Sequence, residues 1–203
     1  MDGYEQMTDD QDEIETEILD ALASAADARR PYAGFFSWPD PDVAERGVAA
    51  DFAAAAAGVE PGLPWDELRS RGRGNDPPDC EAVDSTGRRI AIEITEIVDG
   101  RPIAAATATR RPQERLWAIW KRERFLQEAQ RRLTEKDGKV LKDGPYDEYI
   151  VIIHTDEPTL DAERVGEWLT DHRFDQPRQL SRAYLLLSYD PRPASYPYFK
   201  LSW

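Results

Sequence analysis

Three stretches of the chain carry strand-like patterns of apolar positions. Ile90, Ile92 and Ile94 alternate with Ala91, Glu93 and Thr95, the period of two expected of a strand with one face in a core. Tyr149 to Ile153 is almost continuously apolar and Ala183 to Ser188 nearly so, which predicts interior strands buried on both faces. Tyr196 to Trp203 reads as a final edge strand, because Pro197 would break the ladder of a central one. Helical periods occupy the intervening chain. Ile14, Ile18 and Leu22 predict a helix from about Asp12 to Asp27. Asp40-Pro41, an N-cap followed by a first-turn proline, opens an alanine-rich helix to Ala57 that Gly58 closes. Pro64 and Trp65 predict a short helix ending near Gly72, and no core strand is evident ahead of Asp79. Pro112 opens the longest helix, to about Glu135, and Asp156-Glu157-Pro158 starts another that runs to about Asp171, with the acids as caps. The order is helices, hairpin, long helix, strand, helix, strand, strand. It predicts an α/β (α+β) class: a central mixed β-sheet flanked by helices, with extra helices at the N-terminus.

The hairpin is where the pattern admits chemistry. A three-residue loop, Ser85-Thr86-Gly87, with Gly87 in the left-handed position, pairs Asp84 with Arg88. In that register Val83 faces Arg89, Glu81 faces Ala91, and Asp79 lands opposite Glu93. Like charges directly opposed on a sheet repel, so a cation should lie between them if both are ionised. A hard divalent metal that prefers oxygen ligands is one candidate. The same alternation also fits an exposed hairpin with a polar outer face, in which Pro77-Pro78 only stiffens the approach to the strand.

The long helix can be oriented in two ways. A stripe of Leu116, Ile119, Leu126 and Leu133 would carry Glu123 and Gln130 inward, where polar groups need partners. If Trp117, Trp120 and Phe125 define the buried side instead, Glu123 is exposed.

Charge sharpens this picture through its distribution. The 203 residues carry a net charge of −14, yet residues 101–142 hold twelve Lys or Arg against five Asp or Glu. Residues 1–28 hold ten Asp or Glu and no Lys or Arg. A basic block of this kind can engage phosphate although the whole protein is acidic, and it is equally the composition of ordinary solvated helix faces. Cys80 is the single cysteine, which excludes an internal disulfide, and with only His154 and His172 it gives no Cys/His zinc set. Cys80 is expected to be a small buried apolar residue. The acidic stretch Met1 to Asp20 differs from a secretory signal, so a cytoplasmic location is expected. Residues 1–28 are expected to form an acidic leader and helix, and residues 29–203 a single domain.

Pro78-Asp79 followed by Glu93-Ile94-Thr95, within this order of elements, resembles the restriction-endonuclease-like superfamily and its PD-(D/E)xK motif. The resemblance spans roughly residues 40 to 155. It implies a restriction-endonuclease-like core and a metal-dependent nuclease that hydrolyses phosphodiester bonds, of DNA ahead of RNA. It implies that Asp79 and Glu93, assisted by the carbonyl of Ile94, bind Mg²⁺ or Mn²⁺. Thr95 stands where the motif has lysine, and it would position the attacking water by hydrogen bonding, with Lys121, Arg110 or Arg111 supplying the positive charge. Arg110, Arg111, Arg115, Arg122 and Arg124, with Lys121, would hold the nucleic-acid backbone. The absent lysine leaves a second expectation, a catalytically inactive nuclease-fold protein that binds nucleic acid or a protein partner. A protein partner held by the acidic N-terminus and a homodimer are further expectations, and no membrane partner is expected.

Overall fold

The structure, a computed structural model, describes residues 41–72, 74–98, 119–157, 159–188, 190 and 194–203. The expected helix over residues 12–27, the acidic leader, and the segment holding Arg110, Arg111, Pro112, Arg115, Leu116 and Trp117 lie outside the described residues. Among the described residues the elements are α1 (Pro41–Ala56), β1 (Asp66–Ser70), β2 (Cys80–Val83), β3 (Arg89–Glu96), α2 (Arg122–Asp137), β4 (Glu148–Thr155), α3 (Ala162–Leu169), β5 (Arg182–Leu187) and β6 (Tyr198–Lys200).

The six strands form one mixed sheet in sequential order, β1 to β6. β3, β4 and β5 are parallel, and the outer strands are antiparallel to their neighbours. Parallel neighbours require crossover connections, and α2 and α3 lie in those connections. This is the predicted class, a mixed sheet flanked by helices.

Pleating divides β3 between two cores. Ile90, Ile92 and Ile94 join Cys80, Ala82, Ile150, Ile152 and Tyr184 under Phe52 and Ala53 of α1. Ala91, with Ile97 just past the strand, joins Val151, Ile153 and Leu185 under Phe125, Leu126 and Leu133 of α2 and Val165 of α3. Phe52 anchors the first layer, with its ring centroid 4.5 Å from Tyr184 and 5.8 Å from Trp65. Glu93 and Thr95 belong to the second face by alternation, so α2 is the helix that covers them.

The hairpin has the register that its turn predicts. Val83 pairs with Arg89, Glu81 with Ala91 and Cys80 with Ile92, and Gly87 closes the loop at φ 84°. Both ends of α1 also agree, since it starts at Pro41 and Gly58 follows it at φ 75°.

Four expectations need correction. Residues 66–70 are not helical: they form edge strand β1, with Asp66 opposite Val83 and Ser70 opposite Cys80. The sequence Asp66-Glu67-Leu68-Arg69-Ser70 conceals a strand because charged side chains suit an exposed edge, and its register shifts where Glu67 takes φ 51°. α2 begins at Arg122, ten residues after Pro112, because Lys121 is extended (φ −105°, ψ 151°) and Trp120 is buried ahead of it. Ile119 and Glu123 are exposed, and the buried side takes Trp120 and Phe125 from one expected stripe and Leu126 and Leu133 from the other. α3 starts at Ala162, where Asp161 rather than Asp156 or Glu157 accepts the capping bond, from the Arg164 N–H at 2.9 Å. β6 spans only Tyr198–Lys200, although it is the edge strand expected.

Candidate functional site

Asp79 and Glu93 meet beyond the end of the β2–β3 ladder, and the cations between them are lysines. The last backbone pair is Cys80 with Ile92, so the Ile94 N–H has passed the end of β2. The Asp79 carboxylate takes it instead, accepting at Oδ2 over 2.7 Å. A strand residue turns its N–H and C=O to the same side, so the Ile94 carbonyl also faces the acids. Lys136, in the last turn of α2, donates to Asp79 Oδ2 at 3.3 Å and to Glu93 Oε2. Lys139, just past the helix, donates to the same Glu93 oxygen at 2.8 Å.

Glu93 is fully buried, and its Oε1 has no hydrogen-bond partner. Burial and the charge of Asp79 push its carboxyl above the ordinary range, while Lys136 and Lys139 pull it back. Burial alone would lower the Lys139 ammonium, but its bond to Glu93 and the charges of Glu93 and Asp79 raise it. The group is therefore a charge-compensated cluster of two acids and two lysines in which Glu93 Oε1 has no hydrogen-bond partner.

One further residue is hydrogen-bonded to this site, and another feels its charge. Glu45, on the first turns of α1, is pushed up to about 7 by partial burial and by the charge of Asp79, against the pull of Lys136. Tyr149, at the start of β4, donates its hydroxyl to the Lys136 carbonyl at 2.7 Å, and burial with the charges of Glu93 and Asp79 raises its pKa.

Loop contacts hold the lysines in place. The Asp137 carboxylate accepts the backbone N–H groups of Arg178, Gln179 and Leu180, at 2.9, 2.9 and 3.1 Å. On the other flank, buried Glu81 accepts from Arg69, Arg71, Arg89 and the Tyr146 hydroxyl, which ties edge strand β1 to the segment after α2. Burial would raise Glu81, but the bonds from Arg69 and Tyr146 and the charges of Arg69 and Arg71 lower it.

Of the residues that the sequence singled out, Asp79, Glu93 and Ile94 come together, and buried Thr95 follows on the same face. Lys121 does not join them. It is the N-cap of α2, fifteen residues from Lys136, which at 1.5 Å per residue is about 22 Å away. Arg122 and Arg124 share that remote end: Arg122 donates to the Trp168 carbonyl at 3.4 Å, and Arg124 lies 4.3 Å from the Trp120 ring centroid. Cys80 is fully buried, and burial pushes its thiol up to about 12, as a packing residue should behave. Sequence reasoning passed over Lys136, Lys139, Glu45 and Tyr149. Topology was the usable signal: a helix joining parallel strands runs antiparallel to them, so its end, not its start, comes down beside the beginning of the next strand.

Two carboxylates, of which Glu93 Oε1 has no hydrogen-bond partner, and the Ile94 carbonyl are oxygen donors of the kind a hard cation takes. Among the described residues no group of three or more His, Cys, Asp or Glu side chains gathers around one point. Comparisons with protein-family models, curated proteins and solved structures returned no match.

Proposed function

We propose that the chain is a metal-dependent nuclease, related to the restriction-endonuclease-like superfamily, in which Lys136 takes the part of the motif lysine that Thr95 lacks. One observation carries this reading: the Lys136 ammonium lies within hydrogen-bond reach of both motif acids. A lysine supplied from the following helix restores the acid, acid and lysine composition without a lysine on β3.

In this reading Asp79, Glu93 and the Ile94 carbonyl would hold Mg²⁺ or Mn²⁺, which supplies phosphate charge neutralisation and a more acidic bound water. Lys136 and Lys139 would donate to phosphate oxygens, offsetting negative charge that develops during hydrolysis. Thr95 would offer a hydroxyl on the same face. Glu45, with its pKa near 7, is suited to take up or release a proton near neutrality.

Purified protein should cleave DNA, and RNA less readily, when Mg²⁺ or Mn²⁺ is supplied. Asp79→Ala and Glu93→Ala should abolish cleavage, and Lys136→Ala should slow it by about 10²-fold or more. Undiminished rates in the acid variants would overturn the assignment.

A second reading, a catalytically inactive nuclease fold that binds a partner, draws on the same cluster. The acids already have their counter-charges from Lys136 and Lys139, so the fold can keep them without a metal.

A further inference from the structure

A cavity of about 470 Å³ opens beside the acid pair, lined by residues 138–141 and 144–149 with Gln179 and Ser181. It shares a wall with the candidate site. Lys139, which donates to Glu93, and Tyr149, which donates to the Lys136 carbonyl, both line it. Its size falls within the roughly 300–1,000 Å³ typical of small-ligand sites.

The lining is mixed: beside its apolar groups it carries the acids Asp147 and Glu148, whose carboxylates are already held by the Arg89 N–H and by Arg88 and Arg182. Val140, Leu141, Pro145 and the Tyr146 ring offer apolar surface, while the Lys139 stem leads from the cavity to an ammonium at the acid pair. Val140 is 85% exposed, an apolar side chain at the opening that no core contact requires. The far wall is tied together by several contacts. Arg89 donates to the carbonyls of Asp143 and Pro145, each at 3.1 Å, and lies 4.6 Å from the Tyr146 ring centroid, while the Tyr146 hydroxyl is held by Glu81. A preformed, half-apolar recess one lysine away from a phosphodiester site accepts a base only if that base is unpaired, because a base within a duplex is covered by its partner and its stacking neighbours.

We infer that this cavity holds an unpaired nucleotide adjacent to the phosphodiester at Asp79 and Glu93, so that the substrate is a single strand, overhang or frayed end and not an intact duplex. The inference rests on the nuclease reading for its substrate class, and its test reads binding alone. With EDTA present to prevent cleavage, fluorescence anisotropy compares a labelled oligo-dT strand with a blunt two-strand duplex of equal length closed by G·C pairs at both ends. The strand should bind more tightly. Val140→Glu, at an exposed position that leaves the core intact, should weaken strand binding about tenfold and duplex binding by much less, since the added charge repels any polyanion but only the strand would enter the cavity.

Equal binding of strand and duplex by the unmodified protein would overturn the inference, as would a Val140→Glu affinity for the strand unchanged within about twofold. Binding of free dAMP without binding of the strand would also overturn it, since the cavity would then serve a mononucleotide. A protein that binds the strand through Val140 but cleaves nothing with Mn²⁺ would lose the hydrolytic reading and keep this site. The converse result would keep the hydrolysis and discard the cavity.

Discussion

At the scale of single residues, the unusual feature is a fully buried carboxylate held beside another acid by lysines. Burying Glu93 on the α2 face of β3 forgoes the roughly 1.5–3 kcal/mol that a fully buried apolar side chain would contribute there. Removing one partner from such a buried pair typically costs about 3–5 kcal/mol, so the arrangement persists only while the lysines remain. Glu45 adds a titration to this group. Its pKa rises from an ordinary 4.5 to about 7, chiefly through burial and then through Asp79. An acid with a higher pKa folded than unfolded binds its proton more tightly in the native state, so stability is lost as pH climbs between those two values. Glu45→Gln removes that dependence. Its melting temperature relative to the unmodified protein should therefore move upward as pH is raised from 4.5 to 7, the window set by the two pKa values. A difference that stays constant across that range, followed by circular dichroism, would mean that Glu45 does not titrate there.

At the scale of elements, the site depends on how α2 ends. Lys136 and Lys139 bracket Gly138, and Asp137 points the other way, gathering three backbone N–H groups from residues 178–180. Burial would raise the Asp137 carboxyl, but these three bonds lower it. Hydrogen bonds to a charged acceptor contribute about 1.5–3 kcal/mol each, and they are shared here by one partly exposed carboxylate. Asp137→Ala should therefore destabilise the protein by about 2–3 kcal/mol in urea denaturation, with cleavage reduced as Lys136 loses its fixed position. A variant as stable as the parent would show that the loop does not anchor the helix end. The same element explains what the sequence disclosed and what it hid. The acid pair was legible because a three-residue turn fixes pairing by counting, and side-chain alternation then assigns every face. Apolar runs such as Tyr149 to Ile153 declared the central strands for a similarly local reason. β1 was hidden because an edge strand needs no apolar face, and the stretch from Asp66 to Ser70 looks like any charged helix turn. Lys136 was hidden because its partners lie 57 and 43 residues away, a contact that only the crossover between β3 and β4 creates.

For the whole molecule, the acidic surplus and the lysine-bridged acids bear on one question, whether a divalent cation belongs to the native state. The net charge of −14 draws cations to the protein generally, so weak attraction alone distinguishes nothing. A specific site behaves differently, since a ligand that binds only the folded form stabilises it by mass action, by about 2.7 kcal/mol at a hundredfold excess over its dissociation constant. For a chain of 203 residues, each kcal/mol corresponds to roughly 2–4 °C in melting temperature. Saturating Mn²⁺ should then raise the transition by about 5–10 °C. Binding must draw Glu93 Oε2 away from the Lys136 and Lys139 ammoniums or use the unpartnered Oε1 beside them, so the shift should depend on both acids. Asp79→Asn and Glu93→Gln should each lose it, while an exposed acid on another element, such as Glu163 on α3, should be replaceable without effect. A shift that survives in both site variants is surface attraction. No shift in the unmodified protein favours the reading in which the lysines are the acids' permanent counter-ions and the fold binds its partner without hydrolysing it.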